Sequence, residues 1–192
     1  NNREDRAEQD TMFVPLISRD MISHIDDEIE FYKAPMYILS VLRAKSAYLY
    51  MLDYPRIHEY GAEWECPGHL SLVSSLEDGK CVAYEKDIRP LITQKEGIFA
   101  NFTEDRRRMV TALPLFLGQE QYGILVVETE PEDMLLMHLV SLQISGALNF
   151  FYLNQQQVRM QKRLETLVDE VNEKNKILGF ISAYDELTGI LN

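Results

Sequence analysis

Residues 109–129 read MVTALPLFLGQEQYGILVVET. Tyr122 to Thr129 is an unbroken apolar run rich in β-branched residues, the pattern of a buried strand. Met109 to Leu117 is a second strand, and Pro114 inside it predicts a bulge or a sheet edge, because proline donates no ladder hydrogen bond. Gly118 to Gln121 turns the chain between them. The residues after this hairpin are equally directive. Thr129-Glu130-Pro131-Glu132 offers a Thr N-cap, a Glu at the third helical position and a Pro in the first turn. No proline occurs after Pro131, and helical periodicity continues to about Ile181.

Working towards the N-terminus, His69 to Leu76 alternates with Leu70, Leu72, Ser74 and Leu76 on one face. Glu77-Asp78-Gly79-Lys80 is a hairpin turn, and Cys81 to Tyr84 is the returning strand. Ser46 to Leu52 is a further strand, and residues 53–68 are loop or a short irregular strand. A helix spans residues 19–33, with Ile22, Ile25, Ile29 and Tyr32 on one side and Ser18 as N-cap. Pro35 interrupts, and Met36 to Arg43 forms a second helix or a helical continuation. Residues 1–17 are charged, then extended at Pro15, and read as an incoming linker. Glu85 to Arg107 is too long and aperiodic for a simple connection, so it reads as a loop over a binding site, carrying a short helix.

The chain has 192 residues, 46% of them hydrophobic and 26% charged. That composition is globular. Its formal net charge is −12, nearly all of it before Phe150. Nucleic acid is excluded as a partner of the body, because a phosphate-binding surface needs clustered positive charge. Two cysteines cannot build a disulfide framework, which points to a reducing cytoplasm. The chain opens without Met and without a signal peptide, so a piece of a longer protein is expected. Met134 to Val158 contains no Asp, Glu, Lys or Arg. His138, Ser141, Ser145 and Asn149 recur there as one polar stripe, so an amphipathic helix with two buried flanks is expected rather than a membrane span.

Fifty helical residues at 1.5 Å each would reach roughly 75 Å, so part of this helix must project. Its later half carries a heptad seam. Phe150, Leu153, Met160, Leu164, Leu167, Val171, Lys174, Leu178 and Ile181 fall at spacings of three and four, with Gln157 in the remaining slot. Charged and amide residues flank the seam from Arg159 to Lys176. The expectation is a parallel two-stranded coiled coil, hence a homodimer through the C-terminal helix.

The final residues, Asp185-Glu186-Leu187-Thr188-Gly189-Ile190-Leu191-Asn192, resemble the D-x-L-T-G-L-x-N sequence that opens GGDEF domains, the catalytic domains of diguanylate cyclases. Ile190 departs from the usual Leu. The Gly-Gly-acidic-acidic-Phe signature is absent, so no catalytic or metal-binding residue carries over. The body resembles a GAF domain in its order of helix, strand, loop, hairpin, long loop, hairpin and long helix, with PAS the nearest competitor. The resemblance implies an α+β fold, with a central antiparallel sheet, flanking helices and a long C-terminal coiled-coil helix. It divides the chain into an incoming linker (1–18), a GAF-like sensory domain (19–150), a signalling helix (151–184) and the start of a GGDEF domain (185–192). In that family a ligand pocket lies under loops on the sheet face away from the helices.

Trp64, Tyr84, Phe99, Phe102 and Arg108 are the pocket candidates: aromatics in or beside the covering loops, and the last member of the basic run Arg106-Arg107-Arg108, able to clamp an anion. That run is also balanced by Glu104 and Asp105 as an ordinary solvated strand entry. Cys66 and Cys81 invite comparison with bilin-anchoring or redox thiols. However, Cys66 lies between Glu65 and Pro67, and Cys81 lies in a strand pattern, so buried thiols are expected. His24, His58, His69 and His138 have no metal-ligand spacing. No metal and no cofactor is expected. The resulting expectation is a cytoplasmic sensory and dimerisation module of a bacterial diguanylate cyclase-like signalling protein, without enzymatic activity of its own and with an unidentified small molecule as its ligand. The alternatives are a dimerisation module that binds nothing and a Cys-dependent small-molecule enzyme.

Overall fold

The structure, a computed structural model, describes residues 4–93, 95–102 and 108–188. The strand sequence 109–129 forms the hairpin of β5 (Val110–Leu117) and β6 (Glu120–Glu128). Strand β6 sits beside β1 (Ser46–Ile57), which pairs in turn with β2 (Leu70–Glu77). Strand β3 (Lys80–Ala83) closes the far side, giving the order β3-β2-β1-β6-β5, and the two-residue β4 (Leu91–Ile92) adds to β2. All pairs are antiparallel. Pro114 lies where proline is tolerated: β5 is an edge, and its register shifts at Leu115/Phe116. The Asp78-Gly79 hairpin forms with φ of +47° and +75° at its two central residues, as a tight two-residue turn requires.

Three helices complete the fold: α1 (Glu4–Ser23), α2 (Glu28–Val41) and α3 (Met134–Thr188). The chain divides into two compact units, Asn1–Phe151 and Tyr152–Asn192. Within the first, α1, α2 and the opening turns of α3 cover one face of the sheet. Ser18 of α1 donates to Gln143 Oε1 at 2.7 Å, Asn149 donates to Tyr122 Oη at 2.7 Å, and Phe151 stacks on Phe31 at 4.4 Å. Ala47, Leu49, Leu76, Leu125 and Val127 are buried on that side. Tyr48, Tyr50, Leu70, Leu72, Ile124 and Val126 form a separate cluster on the other. The architecture is α+β, with a central antiparallel sheet, flanking helices and a long C-terminal helix.

Several local expectations differ from what forms. Residues 4–17 are helical, not extended. Val14, Ile17 and Met21 are buried at spacings of three and four, and that burial outweighs the backbone hydrogen bond lost at Pro15. Ser18 is therefore inside a helix rather than its cap. The helix expected over 19–33 is broken at 24–27, where Asp27 accepts from the amides of Ile29 and Glu30 and starts α2; Pro35 lies inside α2, so of the two readings for Met36 onward the helical continuation is the one that forms. The Thr129 capping box does not form. The Thr129 amide remains tied to the sheet through Met109 O at 3.2 Å, and a short 3-10 turn at Pro131–Asp133 precedes α3.

Leu70, Leu72, Ser74 and Leu76 do not share a face. Leu49 pairs with Ser74 but Tyr50 with Leu72, so Val73 is an extra residue that inverts the alternation beyond it. The polar stripe of α3 also lies differently. His138 is exposed, while Ser141 and Ser145 point inward and bond to the carbonyls of His138 and Ser141, each at 2.7 Å. The stretch Pro131–Ile181 is long and apolar enough to cross a membrane, a test that core helices also pass; Val140, Ile144, Ala147 and Leu148 are buried in the domain.

The tightest backbone approach is at Gly123. A Cβ there would sit 2.0 Å from Tyr50 O and 3.1 Å from Met51 Cα. Neither atom belongs to a flexible side-chain end, so the central ladder itself would have to move. Gly123→Ala is expected to lower stability by about 2 kcal/mol or more, the upper range for overpacking, measured by urea unfolding. Stability within about 0.5 kcal/mol of the parent, the range of an inconsequential substitution, would show that the ladder yields there.

Candidate functional site

The sheet face opposite the helices is where the loops converge. The long segment after β3 begins at Tyr84 and is clamped at its start. Arg89 donates to Tyr84 O at 3.1 Å and to Glu28 Oε1 at 2.9 Å, and its guanidinium lies over the Tyr32 ring at 5.3 Å. The chain then forms a 3-10 turn at Lys86–Ile88, the short β4, and a second 3-10 turn at Lys95–Phe99, in line with the short helix expected within this loop. Ile98 drops into the cluster of Tyr48, Tyr50, Leu70, Leu72, Ile124 and Val126, with Cys66, Tyr84, Ile92 and Phe102 packed around it.

Within this apolar cluster the polar groups are hydroxyls. Tyr50 donates to Ile98 O and accepts from Asn101 Nδ2, both at 3.3 Å; Ser75 Oγ and Tyr84 Oη are 3.3 Å apart. Phe102 meets the Tyr48 ring edge-on at 5.1 Å. Burial pushes the Tyr50 phenol up to about 12, with Asn101 pulling the other way. Burial raises Tyr48 further, and the Glu77 carboxylate adds to that. Both phenols are neutral donors at physiological pH. The surface can therefore offer apolar contact and hydroxyl hydrogen bonds to a guest, or, as here, to the protein's own loop.

At the end of this face, a cleft of about 390 Å³ is lined by Lys45, Arg108, Met109, Glu128, Thr129, Glu130 and Pro131. The Glu128 carboxylate is buried and accepts from Ser46 Oγ at 3.0 Å and from Arg108 Nη1 at 3.3 Å. Among the described residues Arg108 Nε is buried without a hydrogen-bond partner. Lys45 pairs with Glu130 at 2.9 Å in an exposed ion pair. Each cation in the cleft thus already faces a carboxylate.

Of the five pocket candidates, Tyr84 and Phe102 join the cluster, and Arg108 stands at the cleft. Phe99 is largely exposed. Trp64 lies elsewhere, donating to Gln121 Oε1 at 3.3 Å. Arg106, Arg107, Glu104 and Asp105 lie outside the described residues. Tyr48, Tyr50, Ser46 and Glu128 carry the face but were not singled out by sequence; Tyr48 and Tyr50 are one strand period apart, the signal that would have found them. Cys66 and Cys81 are half-buried thiols, and burial raises Cys81 while Lys33 partly offsets it. His24 and His58 meet backbone carbonyls, Asp20 O at 2.9 Å and Ala62 O at 3.1 Å. Among the described residues no group of three His, Cys, Asp or Glu is placed to hold a metal.

In the second unit, Leu153, Met160, Leu164, Leu167, Val171, Leu178 and Ile181 are all exposed in the single chain. Thr188 ends the described helix, so residues 189–192 of the GGDEF-like sequence lie outside the described residues.

No protein-family model matches the sequence, and no curated protein does. Among solved structures, the chain is similar to the GAF domain of a phosphoenolpyruvate-protein phosphotransferase from Coxiella burnetii, at 10% identity and a TM-score of 0.42, over 76% of this chain and 98% of that one. Similarity of that degree assigns no function.

The raised phenols have a measurable consequence. Tyr32, Tyr48 and Tyr50 all ionise above the ordinary value of 10.0 in the folded protein. Their contribution to stability is complete below about pH 10 and is lost as pH rises from there, through about 12 for Tyr50 and higher for Tyr32 and Tyr48, because the unfolded chain ionises first. Titration at ~295 nm is expected to leave Tyr32, Tyr48 and Tyr50 largely unionised at about pH 11 in the native protein, and the same three to be about nine-tenths ionised in urea; replacing each by Phe assigns its share of the signal. Full ionisation of the native protein at that pH would mean that these rings are solvated.

Proposed function

We propose that this chain is a regulatory domain of the GAF kind, acting through its C-terminal helix on a following domain that resembles a diguanylate cyclase. The observation that carries this reading is the placement of β6. Its Ile124 and Val126 form part of the loop-side cluster, and its last residues run through the Glu128–Arg108 pair into α3. A guest that displaces Ile98 or Phe102 would press on the strand that feeds the helix. The GGDEF-like sequence from Asp185 supplies the identity of the following domain. A cyclase that makes a two-fold symmetric product from two GTP needs two copies held together, and the heptad seam gives a parallel homodimer that shifts between pairings. The net charge of −12 argues against nucleic acid, and a content of two cysteines, too few for a disulfide framework, agrees with a cytoplasmic location.

A second reading has its own support. Ile98, Phe102 and Tyr84 fill the face with the protein's own side chains, which suits a dimerisation module that binds nothing. Native mass spectrometry of protein purified without additions separates the two. A non-covalent small molecule retained on the chain supports the sensory reading, and a bare chain supports the second. The Cys-dependent enzyme is the weakest of the three, since the Cys81 thiol is raised rather than lowered. Incubated with GTP and Mg²⁺, this chain is expected to yield no cyclic di-GMP; turnover above blank would contradict its assignment as regulatory only.

The seam is tested by its one charged position. In a parallel pair the two Lys174 side chains face each other, and their stems pack poorly. Lys174→Leu is expected to tighten the dimer by about 1 kcal/mol or more, and Leu167→Lys to weaken it, by sedimentation equilibrium. A Lys174→Leu variant no tighter than the parent would place the seam elsewhere.

A further inference from the structure

Where helix α3 packs on its own domain, it buries two serines beside its apolar inner residues and leaves two leucines and a phenylalanine outside. Ser141 and Ser145 are 4% and 1% exposed, whereas Leu135, Leu142 and Phe150 are 71%, 48% and 49% exposed. The serines lose little by burial, because each hydroxyl bonds to a carbonyl of the helix itself. The outward leucines have no such compensation in the single chain. With Gly146, the outward residues succeed one another at steps of seven, four and four, which keeps them on one side of an α-helix.

We infer that this outward face, Leu135, Leu142, Gly146 and Phe150, packs against the same face of a second copy of the chain, so that the dimer contact includes the domain as well as the C-terminal seam. The inference rests on the homodimer reading and deepens it. Three observations select the occupant. First, Phe150 is both the last residue of this face and the first of the heptad series, and Gly146 is the next heptad position before it, so the face and the seam share two residues; Leu142 and Leu135 lie one position N-terminal to the continued series, on its flank. Second, a Cβ on Gly146 would meet nothing within 4 Å. The chain's own packing therefore gives no reason for a glycine that costs helix stability, whereas close approach of a second helix does. Third, Met134 to Val158 carries no Asp, Glu, Lys or Arg in a chain of net charge −12. In a parallel two-fold pair each residue near the axis meets its own copy, so any charge there would meet its like. This is the stretch where two such acidic chains approach without repulsion. A membrane surface fits less well. Helices that lie on membranes carry Lys and Arg along their polar face, and here Glu130, Glu132 and Asp133 precede the helix instead.

The test is sedimentation equilibrium on the full 192-residue chain, its Leu135→Glu/Leu142→Glu double variant, Gly146→Leu and Leu167→Lys. Circular dichroism checks folding, and flotation with phosphatidylcholine/phosphatidylglycerol vesicles reads membrane binding. The double variant is expected to raise the dimer Kd at least tenfold while keeping the parent's helix content. Gly146→Leu is expected to raise it as well, although leucine is the better helix former and has open space in the single chain; this variant carries the test if the charged one misfolds. A dimeric parent whose double variant and Gly146→Leu variant associate as tightly as it does overturns the inference and leaves the seam intact. Dissociation by the double variant with no effect of Leu167→Lys supports the inference and removes the seam. A monomeric parent overturns both, and a monomer that floats with vesicles through Leu135 and Leu142 assigns the face to lipid instead.

Discussion

The pairing of β1 with β6 is the constraint on which the other contacts depend. Ala47 to Met51 run antiparallel to Gly123 to Val127 at the centre of the sheet, and both faces of that ladder are apolar. A two-faced apolar ladder has to be covered twice. Ala47, Leu49, Leu125 and Val127 require the helices, and Tyr48, Tyr50, Ile124 and Val126 require the loops. The close approach at Gly123 comes from the same pairing, since only a residue without a side chain lets β6 lie against Tyr50 O.

The two coverings differ in kind. On the helix side the contacts are aliphatic and aromatic, down to the stack of Phe31 on Phe151. On the loop side the covering segment contributes Ile98 and Phe102, but it is also held by single hydrogen bonds from Tyr50 and Asn101, with the Arg89 clamp at its root. Hydrogen bonds of this kind are worth about 1 kcal/mol each net of the water they replace. A guest offering similar donors and acceptors could exchange with them at little cost, whereas nothing comparable could replace the helices. That asymmetry makes the loop side the more exchangeable covering and the helix side the frame.

The same ladder sets the problem at α3. The helix leaves the sheet directly after Thr129, whose amide is still bonded to Met109 O, so its rotation about its own axis is fixed by where the chain exits. Met137, Val140, Ile144 and Ala147 face inward at that rotation. Ser141 and Ser145 are carried in with them, and Leu135 and Leu142 are left outside.

Much of the fold was legible in sequence because it is local. The β5–β6 hairpin, the Asp78-Gly79 turn, the edge position of Pro114 and the length of the final helix each depend on residues a few positions apart, where sterics and period decide. The heptad spacing and the sequence from Asp185 are likewise readable without a structure. What only the tertiary structure decided depends on partners distant in the chain. Residues 4–17 are helical because Val14, Ile17 and Met21 are buried, not because of their own propensities. The alternation of β2 inverts at Val73 because β1 pairs on both sides of it, a register that neither strand specifies alone. Phe102 joins the cluster and Trp64 does not, although both are aromatics in loops, because a loop's path depends on what it can cover. Glu128 reads as an ordinary strand end, and it becomes a buried carboxylate only when Ser46 and Arg108, from two other parts of the chain, meet it. Periodicity tells which residues of a helix share a side, but which side faces inward is decided by the surface it lands on, and that surface is assembled from strands far away in sequence.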